Sequence, residues 1–358
     1  MEQWQEEPIV EQNVTIEQTK CPACGANMAF DIETGGLKCG HCHTKTDFND
    51  NEKVQRRAIT TDVLNQHQPW KEGKIFNCAN CGAKEVLTAK EIARSCAFCG
   101  SSQISASNEL PGIQPDSVIP FTITEESGRE RFRKWIRSRW FAPRKFKRED
   151  VREHMQAMYT PCWSFTAMTE NSYQGTLGRT VTISNGKQTR TTIRWFRVAG
   201  RVNQPYTDHF IQSGERITTK NFNRLKPYNL QTVRVYRQEF LSGIIAEHYS
   251  RTLEACFGDF STFVKQDIRR LIIRRYRADH VSVLNIQTNF HDRKFNYVLL
   301  PLYISNYTYK QKLYNFYLNG ATGKIVGKYP KSAGKIFGAI FATVAIAAAV
   351  AVTVFMLM

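Results

Sequence analysis

The longest apolar run of the chain closes the sequence. Residues 336–358 contain no charged side chain, and four lysines stand shortly before them: Lys324, Lys328, Lys331 and Lys335. As a helix rising about 1.5 Å per residue, this run would be roughly 34 Å long, which is enough to cross a bilayer core of about 30 Å. Lysines beside an apolar span favour the cytoplasmic side of a membrane. The pattern therefore predicts a C-terminal transmembrane helix over 336–358, in a single-pass, tail-anchored protein of the cell membrane whose N-terminus is cytoplasmic.

Two helices are predicted in the preceding part of the chain, and the first of them runs from Thr124 to about Trp140. Phe132, Trp135 and Ile136 recur at the spacing of one helix face, and Thr124 has the residue type of an N-cap. A second helix is predicted over 252–277. We expect both helices to pack on a sheet.

Strand-like alternation fills much of the same region. Alternating apolar and polar residues predict strands over 180–184, 191–202 and 280–289. The dipeptide Asn319-Gly320, followed by Lys324-Ile-Val-Gly, is a hairpin signal. We therefore predict one cytoplasmic α+β domain with an antiparallel sheet over 116–330.

The cysteines are grouped in an internal repeat. Eight of the ten form C-x-x-C pairs, and the unit C-x2-C-x14-C-x2-C recurs after 57 residues. Four thiolates from two such turns satisfy a tetrahedral Zn²⁺ ion, whereas a disulfide framework would need an oxidising compartment. The spacing predicts two tandem zinc ribbons with four cysteine ligands each, over 21–43 and 78–100, and one structural zinc ion in each ribbon. The predicted ligands are Cys21, Cys24, Cys39, Cys42, Cys78, Cys81, Cys96 and Cys99.

Several alternatives stay open for these residues. A rubredoxin-like iron centre uses similar cysteine spacing, and His41 or His43 could replace a cysteine ligand. Ribbons also serve nucleic-acid binding, protein docking and plain stabilisation alike. The other two cysteines, Cys162 and Cys256, have no partner motif and are predicted to be buried apolar residues.

The remaining segments complete the predicted domain organisation. The first residues are acidic, with neither a basic start nor an apolar run, so they are not typical of a secretory signal. They are predicted to form a flexible leader over 1–20. Polar or Ser-, Asn-, Pro- and Gly-rich composition predicts linkers over 44–77 and 101–115.

The charge balance favours anionic partners. The net charge is +17, from 49 basic and 32 acidic residues. The densest cluster, 129–148, holds ten Lys or Arg residues and one acid, with aromatic residues between them. Anionic lipid, nucleic-acid phosphates and a plain solvated helix face all fit this pattern, and lipid is favoured because of the predicted anchor. The candidate ligands are Arg129, Arg131, Arg133, Lys134, Arg137, Arg139, Arg144 and Lys145.

Common enzyme motifs do not occur in the sequence. The patterns G-x4-G-K-[ST], H-E-x-x-H, G-x-S-x-G and G-x-G-x-x-G are all missing. We therefore expect a protein that is not an enzyme and has no catalytic residues. Gly334, Gly338 and Ala342 repeat every four residues in the apolar run, which favours contact with the helix of another membrane subunit.

Several motifs resemble one family. In addition to the two cysteine quartets, they are Ile119-Pro-Phe, Arg139-Trp-Phe-Ala-Pro143, Tyr159-Thr-Pro-Cys-Trp, Phe240-Leu-Ser-Gly243, Leu299-Leu-Pro-Leu-Tyr303 and Asn319-Gly-Ala-Thr-Gly-Lys-Ile-Val-Gly327. From Cys21 to its end the chain resembles the bacterial TFIIB-type twin zinc-ribbon, tail-anchored membrane proteins. It departs from them at Cys162, where the family more often has Phe, and at Tyr303, where it more often has Trp. In layout it is most similar to the branch found in the Bacillus-type envelope-stress operon.

The resemblance implies a function without catalysis. It suggests an adaptor that recruits an SPFH (flotillin-like) protein and phage-shock protein A to the membrane during envelope stress. The alternative is a nucleic-acid-binding zinc-ribbon protein, related to replication or transcription and tethered to the membrane.

Overall fold

A large β-sheet dominates the computed structural model, which describes residues 20–26, 28–46, 54–60, 63, 74–78, 84–87, 104–107, 113–148, 155–186, 188–214, 217–228, 230–241, 244–310 and 312–357. In these residues the strands are β1 (Met28–Asp31), β2 (Gly36–Cys39), β3 (Lys45–Thr46), β4 (Arg57–Ala58), β5 (Lys74–Cys78), β6 (Lys84–Leu87), β7 (Ile104–Ser107), β8 (Ser117–Val118), β9 (Met155–Asn185), β10 (Gln188–Gln212), β11 (Arg234–Val235), β12 (Ile245–Glu247), β13 (His280–Tyr309), β14 (Lys312–Asn319) and β15 (Ile325–Gly327). The α-helices are α1 (Glu125–Arg137), α2 (Arg144–Arg148), α3 (Thr219–Leu225), α4 (Leu253–Arg275) and α5 (Ala333–Leu357). The predicted α+β class is confirmed, because twelve strands form one sheet and helices pack on it.

Three long strands form the centre of this sheet. β9, β10 and β13 have 31, 25 and 30 residues, and β9 pairs antiparallel with both of the others. The strands predicted over 180–184, 191–202 and 280–289 are confirmed, but each is only one part of a longer strand. Alternation does not reveal the rest, because both faces of β9 are buried around Met158, Trp163 and Phe165.

Helix α4 covers one face of the long strands. It begins after Thr252, whose hydroxyl accepts a hydrogen bond from the N–H of Ala255, and it confirms the helix predicted over 252–277. One ring of this helix, Phe260, stacks on Phe165 of β9 with 5.4 Å between the ring centroids. The fully buried positions recur every four residues along α4: Phe260, Val264, Ile268 and Ile272. This stripe holds the helix against the sheet.

One end of the sheet is closed by α1 and the β14–β15 hairpin, and we call this end the base. It includes Met155, the first residue of β9. The hydroxyl of Thr124 caps α1, as the sequence predicts, and Phe132 is buried. The Phe132 ring meets Phe316 of β14 edge-on, with 5.0 Å between centroids. The antiparallel pairing of β14 with β15 confirms the predicted hairpin after Asn319.

The β9–β10 hairpin continues beyond α4, and we call residues 178–195 the arm. The guanidinium of Arg179 donates to the carbonyl of Tyr276, just past the end of α4, so the arm begins where the helix stops. At about 3.3 Å per residue, β9 measures up to roughly 100 Å from Met155 to Asn185. The arm therefore lies at the opposite end of the sheet from the base. Its exposed large apolar side chains are Ile183, Ile193 and Trp195.

Most of the second cysteine quartet lies outside the described residues. Cys78 ends β5, whereas Cys81, Cys96 and Cys99 fall outside the described ranges. Strand β5 pairs with β6 and β7, and β6 pairs with β12 of the large sheet. The second ribbon, with its zinc ion, therefore stays a prediction. The predicted leader also lies outside the described residues, except for Lys20.

Candidate metal centre and membrane-proximal surface

The first cysteine quartet converges on one point. The four Sγ atoms of Cys21, Cys24, Cys39 and Cys42 all lie within 4.8 Å of one another. The Sγ atoms of Cys21 and Cys42 are 3.4 Å apart, and those of Cys24 and Cys39 are 3.5 Å apart. A tetrahedral ion with metal–sulfur bonds of about 2.3 Å requires sulfur–sulfur edges of about 3.8 Å. This cluster could therefore hold one metal ion with a closed set of four sulfur ligands.

Two similar backbone turns present these cysteines. The N–H of Gly25 donates to the carbonyl of Cys21 at 2.9 Å, and the N–H of His43 donates to the carbonyl of Cys39 at 3.1 Å. Both donors have a left-handed backbone, with φ of 71° at Gly25 and 60° at His43. His43 thus occupies in the second turn the position that glycine occupies in the first. Its part in the site is conformational, and the ligand cluster is made of cysteines.

Polar groups favour the thiolate form at Cys42, whereas the pKa of Cys24 is raised to about 12, because the backbone hydrogen bond of Ala26, which lowers it, is outweighed by hydrogen bonds with the Cys42 and Cys39 thiols. The N–H of His41 donates to the Sγ of Cys39 at 3.4 Å. The Thr44 hydroxyl lies 3.1 Å from the Sγ of Cys42, and this hydrogen bond is the main cause that lowers the pKa of Cys42 to about 6. Thiolates are the form of cysteine that binds metals. The surroundings of Cys42 are therefore suited to ligation.

The cysteine module packs against the large domain. Strands β1 and β2 join its two turns, and Phe30 of β1 lies in the same apolar core as the long strands. The Phe30 ring is 5.3 Å from that of Phe240, in the 3-10 helix Gln238–Leu241. The cysteine cluster is thus fixed to the fold by an aromatic contact.

Helix α5 is an exposed apolar helix. Its stretch Ala333–Val354 has 22 residues, a mean hydropathy of 2.4 and no burial. Among the described residues it is the one helix that is long and apolar enough to span a membrane. The predicted apolar helix at the end of the chain is therefore confirmed.

The start of α5 is attached to the segment between α1 and α2. The N–H of Ser332 donates to the carbonyl of Phe141 at 2.8 Å. The Lys335 ammonium donates to the carbonyls of Trp140, at 2.9 Å, and Ala142, at 2.8 Å. The structure thus brings the basic cluster and the apolar helix together at the base. Sequence reasoning missed this contact, because the two segments lie far apart in the chain and share no motif.

One related protein shows the family of the chain. Over 319 residues the chain is 31% identical to the uncharacterized protein YdjG of Bacillus subtilis (strain 168), and the alignment spans 88% of this chain and 91% of that protein. The chain belongs to the YdjG family. The relationship covers most of both proteins, so it extends beyond the cysteine module. No family model matches the chain, and no solved structure matches it.

In this member of the YdjG family the eight basic candidates differ in their surroundings. Two of them form ion pairs within α1, Arg129 with Glu125 and Lys134 with Glu130. The guanidinium of Arg139 lies over the Trp135 ring, 4.5 Å from its centroid. The other candidates are exposed: Arg131, Arg133, Arg137, Arg144 and Lys145. Both acids of α1 that form these pairs lie in its first half, so the end next to α5 is the more basic one.

Proposed function

We propose that the chain is a membrane-anchored adaptor without catalytic activity, which holds cytoplasmic partner proteins at the inner face of the membrane. The observation that carries the proposal is the placement of α5 at the base and of the arm at the opposite end of the sheet. If α5 spans the membrane, the long strands hold the arm up to tens of ångströms from the lipid surface. A partner bound along this length is kept close to the membrane with no lipid contact of its own.

In this proposal the cysteine clusters are structural zinc sites. Cys21, Cys24, Cys39 and Cys42 would hold one ion, and the second quartet, which has the same spacing, would hold another. Four sulfur ligands leave no open position for a substrate, so the metal would stabilise the module and have no reaction to catalyse. The ribbons and the large domain would each offer a docking surface. The aromatic contact between Phe30 and Phe240 supports this role, because it fixes the first module in place.

The proposed orientation of α5 in the membrane depends on the charges that flank this helix. Lys324, Lys328 and Lys331 precede α5, and Lys335 lies in its first turn, so the positive-inside rule places the base in the cytoplasm. The expected partners follow from the family resemblance: an SPFH-like protein, phage-shock protein A and a second membrane subunit. The small residues Gly334 and Gly338 have no neighbouring atom where a Cβ would lie, so that face of α5 is open to another helix.

The adaptor function can be tested by following the partners. Phage-shock protein A and the SPFH protein would be measured in membrane and soluble fractions of cells that make the full chain, a chain lacking 336–358, or no chain. We expect both partners to move toward the soluble fraction in the second and third strains, because their link to the membrane is lost. Partners that stay equally membrane-bound in all three strains would contradict the proposal.

One observation favours nucleic acid as the second candidate. Trp195 and Arg197 are both exposed and lie two positions apart on β10, so they share one face of the strand and form a stacking ring next to a cation. This candidate predicts salt-dependent binding of single-stranded DNA or RNA by the purified full chain, and weaker binding after Trp195→Ala. A filter-binding titration at physiological salt that shows no binding would exclude it.

A further inference from the structure

A small cationic and aromatic surface surrounds the start of α5. The carbonyls of Trp140 and Ala142 accept hydrogen bonds from Lys335, and the carbonyl of Arg137 accepts one from Lys147 at 2.9 Å. The Lys147 ammonium therefore lies at the C-terminal end of α1, and the Lys335 ammonium lies at the segment that follows this helix. Carbonyl oxygens with no other donor favour cations, which explains how two lysines are held close together here.

Two lysines of this surface, Lys147 and Lys335, lie close enough for their charges to repel each other. The pKa of Lys147 is lowered, first by partial burial and then by the charge of Lys335. Among the described residues no carboxylate forms an ion pair with Arg144, Lys147 or Lys335. Cations that converge without an acid are suited to an external anion.

The same surface exposes a large aromatic ring. Trp140 is 72% exposed, although its own carbonyl is fixed by Lys335 at the start of α5. An indole has an apolar body and one N–H donor, and such rings collect at the boundary between lipid and water. The backbone contact therefore sets the depth of this ring relative to α5.

We propose that Trp140, Arg144, Lys147 and Lys335 form a juxtamembrane collar that binds the headgroups of anionic phospholipids. This inference rests on the proposed insertion of α5 and adds a lipid class to it. In the collar, the cations contact lipid phosphates and the indole of Trp140 lies in the headgroup layer. The position favours lipid over nucleic acid, because an inserted α5 brings a bilayer surface to the collar at once. It also brings that surface to the end of the basic cluster where no acid among the described residues forms an ion pair.

The depth of Trp140 can be measured by fluorescence quenching. The full chain would be placed in nanodiscs whose lipids carry bromine near the headgroup end of the acyl chains. We expect Trp140→Phe to remove most of the bromine-sensitive tryptophan emission. The matched control is Trp195→Phe, which changes an exposed tryptophan on the arm and should leave that emission unchanged. Quenching that survives Trp140→Phe, or that disappears with Trp195→Phe, would overturn the collar.

The class of lipid that the collar binds can be tested by measuring which phospholipids stay bound to the purified chain. Phosphatidylglycerol and phosphatidylcholine bound to the detergent-purified full chain would be counted by mass spectrometry, with inorganic phosphate as the competitor. We expect phosphatidylglycerol to be favoured, and Lys147→Gln to weaken its retention about five-fold, the equivalent of about 1 kcal/mol for one cation near a lipid surface. Arg133→Gln, on the middle of α1, is the control and should have a smaller effect. Equal retention of the two lipids, or complete displacement by phosphate, would refute a lipid headgroup site.

The collar proposal can be wrong even if α5 spans the membrane, and one further measurement distinguishes the two cases. Each variant would also be extracted from membranes with alkaline carbonate, which releases proteins held only at the surface. A full chain that resists extraction but shows no lipid preference contradicts the collar alone. A full chain that is itself extracted contradicts the proposed insertion of α5, on which the collar rests.

Discussion

At the scale of single residues, the metal ligands are the part of the site that sequence predicts best. A C-x-x-C turn places two thiolates by local geometry, so spacing alone identified Cys21, Cys24, Cys39 and Cys42. The same reasoning left His43 open as a ligand, although its left-handed backbone gives it the role of Gly25 in the other turn. Backbone conformation of a single residue is not encoded in ligand spacing. The predicted burial of Cys162 and Cys256 is confirmed.

The fully buried ligand Cys39 gives a direct test of the metal centre. We expect Cys39→Ala to lower the bound zinc of the purified full chain by one equivalent, because the remaining three sulfurs no longer close the coordination sphere. Cys256→Ala changes another fully buried cysteine and should leave the zinc content unchanged. Metal analysis by mass spectrometry distinguishes the two variants. Equal zinc in wild type and Cys39→Ala would refute the site.

His209 gives the fold a defined pH dependence. Its ring stacks on Phe263 with 3.9 Å between centroids, and burial, followed by the charge of Lys226, lowers its pKa from 6.5 to about 4. Between these values the unfolded chain binds a proton that the folded chain does not. The contribution of His209 to stability is therefore complete above pH 6.5 and is lost as the pH falls toward 4.

We expect the melting temperature to fall less between about pH 7 and pH 5 in His209→Phe than in wild type, since the variant keeps a ring and has no proton to bind. His291→Gln, at an exposed histidine, is the control and should follow wild type. Thermal melts of the detergent-purified chain at the two pH values provide the measurement. A pH dependence equal to that of wild type in His209→Phe would show that His209 is not its source.

At the scale of elements, sequence predicts where the helices begin better than how long the strands are. Thr124 and Thr252 are local signals, and both cap a helix as expected. The length of β9 is hidden in the sequence because both faces of its half nearest the base are buried, so apolar and polar residues do not alternate there. The bulge in β13 between Val281 and Val283 also has no sequence signal of its own, since it depends on pairing with a distant strand.

Two glycines allow the effect of close packing on stability to be compared with the effect of backbone flexibility. A Cβ at Gly175 of β9 would overlap the backbone oxygen of Val283, at the bulge, so Gly175→Ala should destabilise the fold by about 1–3 kcal/mol. A Cβ at Gly258, inside α4, would meet no atom within 4 Å. Gly258→Ala should therefore stabilise the fold by about 0.5–1 kcal/mol. Denaturant unfolding of both variants checks this, and shifts of the same sign would contradict the packing described for β9 and β13.

At the scale of the whole molecule, the sequence predicts the individual segments but not where they lie relative to one another in the fold. The apolar run and the basic cluster are both plain in the sequence. Their contact through Ser332 and Lys335 is not, because it joins segments that lie far apart in the chain: Lys335 and Trp140 are separated by 195 positions. The distance between the base and the arm likewise depends on long-range strand pairing. These two placements give the adaptor proposal its geometry.

The central claim is that α5 anchors the folded part of the chain to the membrane. The most direct measurement compares the full chain with a chain that ends at Lys335, both produced in bacterial cells, in membranes washed with alkaline carbonate. We expect the full chain to stay in the washed membranes and the shortened chain to be found in the soluble fraction. A full chain released by the wash, or a shortened chain that stays in the membranes, would contradict the account.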